Sequence, residues 1–215
     1  MMIQATASKR MVRQLIFAAL ISSSIMGTSA QEIYKDWDPE IIKKANTAVN
    51  SDLLSEEEKK LILLTNLARI NGPLFKETIL EPYLQEEKST RYIRSLKRDL
   101  EKIKDLELLS PEEDLIQVSV EHADRSGRSG TTGHQRFDKR YGPLLGKYNE
   151  VAENCAYGYN SAMNILIRLL IDEDIPDLGH RKNILNPNFN SIGVSIQPHK
   201  KYRHNCVMSF GKKVK

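Results

Sequence analysis

Apolar and polar positions along the chain alternate in stretches of helical period, each opened by a polar start signal, and later in short strand-like runs. Ser55-Glu56-Glu57-Glu58 has the form of a capping box, with Ser55 at the N-cap and Glu58 three residues on. The helix it opens carries Leu61, Leu64 and Ala68 on one face, with Leu63 and Leu67 beside them, and Asn71-Gly72-Pro73 stops it. An apolar run over 74–84 leads into a charged helix over about 90–106. Its Lys/Arg and Asp/Glu residues recur at three- and four-residue offsets, the pattern of a solvated face. Ser110-Pro111-Glu112-Glu113 reads as a second capping box, with Pro111 at the tolerant first position. Its helix runs to about Arg125, with Leu115, Val118 and His122 on one face, and a glycine-rich loop over 126–134 ends in His134.

The second half is shorter in its periods. Residues 151–158 form a strand ended by Gly158, and Ser161 caps an apolar helix over 162–171 that turns acidic at Asp172-Glu173-Asp174. Pro176 delivers the chain to Gly179-His180, and Asn183 and Asn186-Pro187 read as turn and loop chemistry. Two strands follow over 192–196 and 206–210, joined by a polar loop that places His199 and His204 at the surface. No internal repeat or low-complexity tract is present.

Residues 1–30 have the layout of a secretory signal: Lys9, Arg10 and Arg13, an apolar core over 15–27, and small residues at Thr28-Ser29-Ala30. The mature chain is then expected to begin at Gln31, with a polar lead-in over 31–52 and one domain over 53–215. The apolar core is too short to span a bilayer comfortably, and no cysteine follows it to carry a lipid, so a stable membrane anchor is not expected. The leader also changes the charge. The full chain has 32 Lys+Arg against 28 Asp+Glu, and without the leader's three bases the balance is 29 to 28, a net +1. The sequence pI of 8.9 therefore makes no case for nucleic acid. In an exported chain the two cysteines, Cys155 and Cys206, are permitted one bridge, and two separate buried thiols are the alternative.

Four residues follow or end ordered elements, where side chains can be aimed at a common cleft: His134, Glu153, an acid at the end of the apolar helix, and His180. Two imidazoles with two carboxylates suit a divalent cation such as zinc, and the same set suits proton transfer. The loop over 126–134 lacks the Gly-Lys-Ser/Thr ending of a phosphate-binding loop, and no His-Glu-x-x-His or paired Cys-x-x-Cys occurs.

The wording of these segments resembles the CAP superfamily, the cysteine-rich secretory, antigen 5 and pathogenesis-related (SCP) domain, in its bacterial form. The resemblance rests on Leu64-Thr65-Asn66-Leu67-Ala68-Arg69, Glu121-His122-Ala123-Asp124, Gly133-His134 with Phe137 and Arg140, and Ala152-Glu153-Asn154-Cys155-Ala156-Tyr157-Gly158. Gly179-His180-Arg181-Lys182-Asn183-Ile184-Leu185, Ile192-Gly193-Val194 and Ser209-Phe210-Gly211 complete it. It implies an α+β fold, a three-layer α-β-α sandwich with a small central sheet, and a cleft lined by a His-Glu-Glu-His tetrad whose histidines hold a divalent cation. Carried onto this chain, the tetrad is His134, Glu153, Asp172 (with Glu173 as the alternate) and His180, with His134 and His180 as the metal ligands. His122 matches a framework position. The resemblance implies a secreted or periplasmic binding module for a lipid, sterol, glycan or protein ligand; the alternative is a metal-assisted or cysteine-dependent hydrolase.

Overall fold

The computed structural model describes residues 33–85 and 87–214, so the expected leader and the expected start at Gln31 lie outside the described residues. Contacts divide the chain into two units, and every element below belongs to the second, Asp38–Lys215.

The stretch expected to be a polar lead-in contains a helix, α1 (Pro39–Ala45), capped by the Asp38 carboxylate. It is tied to the domain by one side chain: Asn66 Nδ2 donates to Ala45 O at 2.9 Å and to Leu109 O at 3.0 Å, while its Oδ1 accepts from Leu109 N. Asn66 belongs to α2 (Glu56–Ile70), which opens with the expected Ser55–Glu58 capping box. Glu58 does more than cap, since its second oxygen accepts from Ile196 N at 2.7 Å. Every residue from Leu61 to Ile70 is buried, polar ones included. The expectation of one apolar face is thus corrected: α2 is a central helix, because its polar residues satisfy buried backbone groups instead of facing water.

Asn71-Gly72-Pro73 ends α2, but the apolar run after it is helical in short pieces, Gly72–Phe75, Lys76–Leu80 and Glu81–Tyr83. The charged helix is shorter than expected, α3 (Arg91–Leu100), with Tyr92, Ile93, Leu96 and Leu100 buried. The second capping box does not form. Ser110–Pro111 is instead β1, held by Ser110 N–H to Asn190 O and Glu112 N–H to Ile192 O, so the serine is committed to the sheet edge. The following helix, α4 (Glu113–Ser129), extends into the glycine-rich stretch and ends at Gly130 in the left-handed conformation. Then come α5 (Phe137–Tyr141), β2 (Tyr148–Tyr157), α6 (Ala162–Ile171), α7 (Gly179–Ile184), β3 (Ser191–His199) and β4 (Arg203–Lys213). Ser161 makes no side-chain cap at α6; Glu57 of α2 reaches across and accepts from Ala162 N at 2.7 Å. Asn183 lies within α7, not in a turn.

The sheet order is β1-β3-β4-β2, with β1 parallel to β3 and the other pairs antiparallel. α4 packs on β3 and β4 from one side, while α2 packs on β3 and both α6 and α7 pack on β2. This is an α-β-α sandwich. Gly193 allows the closest approach of α4: a Cβ there would stand 2.0 Å from Leu115 carbonyl carbon, so no other residue fits without moving the helix.

The register also decides the cysteines. Cys155 pairs with Val207 and Ala156 with Cys206, one step out of phase on neighbouring strands. Successive side chains on a strand point to opposite faces, so Cys155 packs with Ala123 and Val207 under α4 while Cys206 points to the other side. Both are free and buried. Alkylation of the denatured, unreduced protein is expected to modify both thiols, and an intact mass showing neither modified would overturn this reading of the register.

Candidate functional site

The loop that delivers His134 is held at three points. His122 on α4 donates from Nε2 to Gly133 O at 2.9 Å, Gly133 N–H donates to Tyr157 OH at 2.8 Å, and His199 Nε2 donates to Thr131 O at 3.0 Å. His199, expected at the surface, is 3% exposed. Gly133 takes a left-handed φ of 92°, and Arg136, two residues past His134, takes φ 57°, a conformation that costs a non-glycine residue. Leu178, two residues before His180, is left-handed as well at φ 54°. Backbone strain beside both histidines is typical of chain held in place for a site.

Glu153 stands in the middle of β2 with its carboxylate buried. Oε1 accepts from His134 Nδ1 and from Arg140 Nη2, each at 2.9 Å. Oε2 accepts from Arg140 Nη1 and from Tyr141 OH, and Tyr141 OH is 2.6 Å from Ser209 Oγ. Burial pushes the carboxyl upward, but the bonds from His134 and Arg140 and the Arg140 charge outweigh it and hold Glu153 at about 2. Burial drives the His122 imidazole below its ordinary range and keeps it neutral.

The second pair is built at the junction of α6 and α7. Asp172 terminates α6 in the left-handed conformation, and its buried carboxylate caps the next helix. Oδ2 accepts from His180 N at 2.9 Å and Arg181 N at 3.2 Å, and Oδ1 accepts from His180 Nδ1 at 2.7 Å. Glu173, the alternate acid, is exposed. Arg181 then locks α7 in place, donating to Leu170 O, Ile171 O and Tyr92 O and pairing with Asp99.

The four expected residues therefore form two pairs, His134 with Glu153 and His180 with Asp172. Edge strand β2 serves both. Glu153 faces α4, and the next residue, Asn154, faces α7, donating to His180 O at 3.0 Å and accepting from Asn183 at 2.8 Å. Each histidine uses Nδ1 toward a carboxylate, which only accepts, so in the neutral ring the proton sits on Nδ1 and the lone pair on Nε2. This carboxylate–histidine arrangement is the one that orients imidazoles as metal ligands.

Among the described residues, a different group of three, His122, Glu153 and Cys155, brings potential ligand atoms within 4.8 Å of one another. The donor set could accept a metal ion, but its positions are taken. His122 Nε2 gives its proton to a carbonyl, and the Arg140 guanidinium already occupies Glu153 on both oxygens. Cys155 is equally unsuited to nucleophilic work. Burial and Glu153 push its thiol far up, away from thiolate. Its Sγ is 3.8 Å from His134 Nδ1, the same nitrogen that binds Glu153, whereas a triad needs opposite ring nitrogens for nucleophile and acid.

A family model of the cysteine-rich secretory protein (CAP) family matches residues 66–210. The chain belongs to that family. Solved structures of CAP-type proteins from bacteria are similar to it. An extracellular protein with an SCP domain from Bacillus anthracis str. Ames is 22% identical with a TM-score of 0.43, covering 51% of this chain and 35% of its own. An outer surface protein of Borrelia burgdorferi is 19% identical (TM-score 0.43; 65% of this chain and 96% of its own), and the CAP domain of enterococcal PrgA is 18% identical (TM-score 0.43; 86% and 75%). This chain thus spans about a third of the Bacillus anthracis protein. A comparison with curated protein sequences found no match. Among the described residues of this CAP chain, no helix is long and apolar enough to cross a membrane.

Arg140, Tyr141 and His122 of this CAP domain complete the surroundings of Glu153 and were not among the expected site residues. His122 shares its helical face with Leu115 and Val118, a pattern that signals burial and nothing more. Arg140 and Tyr141 follow Phe137 in a five-residue helix too short for any periodicity to be legible.

Proposed function

We propose that the chain is an exported, non-enzymatic binding protein, secreted or periplasmic, in which His134 and His180 hold a divalent cation. One observation carries this reading. The two orienting carboxylates are sealed, Glu153 at 0% and Asp172 at 1% side-chain exposure, while the imidazoles they hold reach solvent at 49% and 23%. Buried acids behind accessible rings suit ligation from the outside through Nε2, and zinc is the ion best matched to imidazole. The cation would supply a Lewis-acidic anchor for an extracellular lipid, sterol, glycan or protein. Glu153 and Asp172 would keep the ring tautomers fixed, and Arg140 and Arg181 would keep the supports of those rings in place.

The alternative, hydrolysis, receives no support from Cys155 for the reasons of protonation and geometry above; the metal-assisted form depends on the same two histidines. Zinc titration by calorimetry tests the proposal. Wild type is expected to bind one ion, reversed by EDTA, and His134→Ala or His180→Ala to lose it with the fold intact by circular dichroism. His204→Ala, whose side chain is remote from both pairs in the chain and carries no bond of theirs, is expected to bind as wild type. Equal zinc binding by wild type and both alanine variants rejects the shared site.

A further inference from the structure

We propose that the turn between β3 and β4, Lys200-Lys201-Tyr202, together with Arg203 at the start of β4, is a docking surface for an acidic polysaccharide. All four side chains are exposed, and none of the three cations has an ion pair among the described residues. The turn is also rigid. Lys201 N–H and Tyr202 N–H both donate to Nδ1 of buried His199, at 3.2 and 3.1 Å, and Lys200 N–H donates to Gly127 O at 2.9 Å. The Tyr202 ring rests against His199 and Tyr157, with centroids 5.3 and 5.7 Å apart, and Lys201 Nζ lies over it.

Arg203 is the telling residue. It adopts φ 69°, the left-handed conformation that hairpin turns ordinarily assign to glycine or asparagine. Arg203 opens β4 directly opposite His199, so the chain keeps a cation beside the tip at a conformational cost, and a strained residue points to function. The ligand class follows from the mixture. Three exposed cations on a short stretch of backbone held in place ask for a partner with repeated anionic groups, since single exposed charges bind weakly in water. Tyr202 is the one apolar side chain of the turn. Its ring is held by His199, Tyr157 and Lys201, so it is not free to insert into a bilayer, and the part that stays exposed (38% of the residue) is a fixed aromatic edge against which a sugar ring can pack.

The test uses the full chain with polygalacturonate and heparin as probes, dextran as the neutral polymer, and phosphatidylglycerol vesicles as the competing surface. Wild type is expected to bind both acidic polysaccharides, more weakly as salt rises, and to ignore dextran. Loss of one tip cation should weaken binding about fivefold, and the double reversal Lys200→Glu with Lys201→Glu should do more. Tyr202→Ala should weaken it too, while Lys104→Glu, an exposed cation elsewhere, should not. Arg203→Gly separates function from stability: binding should fall while the melting temperature stays level or rises. Binding that survives Arg203→Gly, or falls equally with Lys104→Glu, overturns the proposal. Tip-dependent capture by vesicles without polysaccharide binding overturns it in favour of a lipid surface.

Discussion

Glu153→Gln is expected to destabilise the protein by about 3–5 kcal/mol at neutral pH, the cost of removing one member of a buried ion pair. The guanidinium of Arg140, 2% exposed in its side chain, would keep its charge and face an amide in place of a carboxylate. His134 would lose the acceptor that sets its tautomer. The pH dependence gives an independent measure. Glu153 is held at about 2, below its ordinary 4.5, so the folded state releases its proton more readily than the unfolded state. Its stabilisation is complete above about pH 4.5 and is lost as pH falls toward 2. At about 1.4 kcal/mol per pKa unit this amounts to roughly 3 kcal/mol, the lower end of the mutational range. Burial of neutral His122 acts with the same sign, since the unfolded state takes up that proton first and stability falls as pH drops below about 6.5. Urea unfolding of both proteins from neutral to acid pH checks this: the gap between them should shrink below pH 4.5. A gap below 1 kcal/mol at neutral pH, or one that does not change with pH, contradicts the account.

Arg69→Met is expected to cost at least about 4 kcal/mol, because several buried acceptors lose their donors together. The side chain is fully buried, and burial lowers its pKa to about 10, so it is charged at neutral pH. Among the described residues it has no carboxylate partner in hydrogen-bonding contact. Instead Nε and Nη2 donate to Glu107 O at 3.1 and 2.8 Å, Nη1 to Ile184 O and Asn186 O at 2.7 and 2.9 Å, and Nη2 to Phe189 O at 2.8 Å. These carbonyls lie before β1 and along the chain from α7 to β3. Methionine fills much of the volume and takes the guanidinium donors away from all four carbonyls, of which Asn186 O keeps Phe189 N–H, so the loss of hydrogen bonds is measured nearly free of a cavity. Chemical denaturation decides it; a loss under 1.5 kcal/mol would mean that water replaces the guanidinium.

The chain announces its own family through local wording, since Gly-His-Arg-x-Asn-Ile-Leu and Ala-Glu-Asn compress site and support residues into short segments. α6 and the Ser55 capping box were legible because each depends on neighbours three or four residues away. The free cysteines were not, because a one-residue step in the pairing of β2 with β4 decides which face a side chain takes. Ser110 has the identity of a cap, yet its backbone N–H is claimed by Asn190 O, and that of Glu112 by Ile192 O, far along the chain. His199 looked like a loop residue for the same reason: its burial comes from Thr131 and Tyr157, which only the folded sheet brings to it. Residue types and local spacing thus determine which groups are available and where helices begin. Strand register and helix packing determine which groups meet, since those contacts join residues tens of positions apart and leave no periodic mark in the chain.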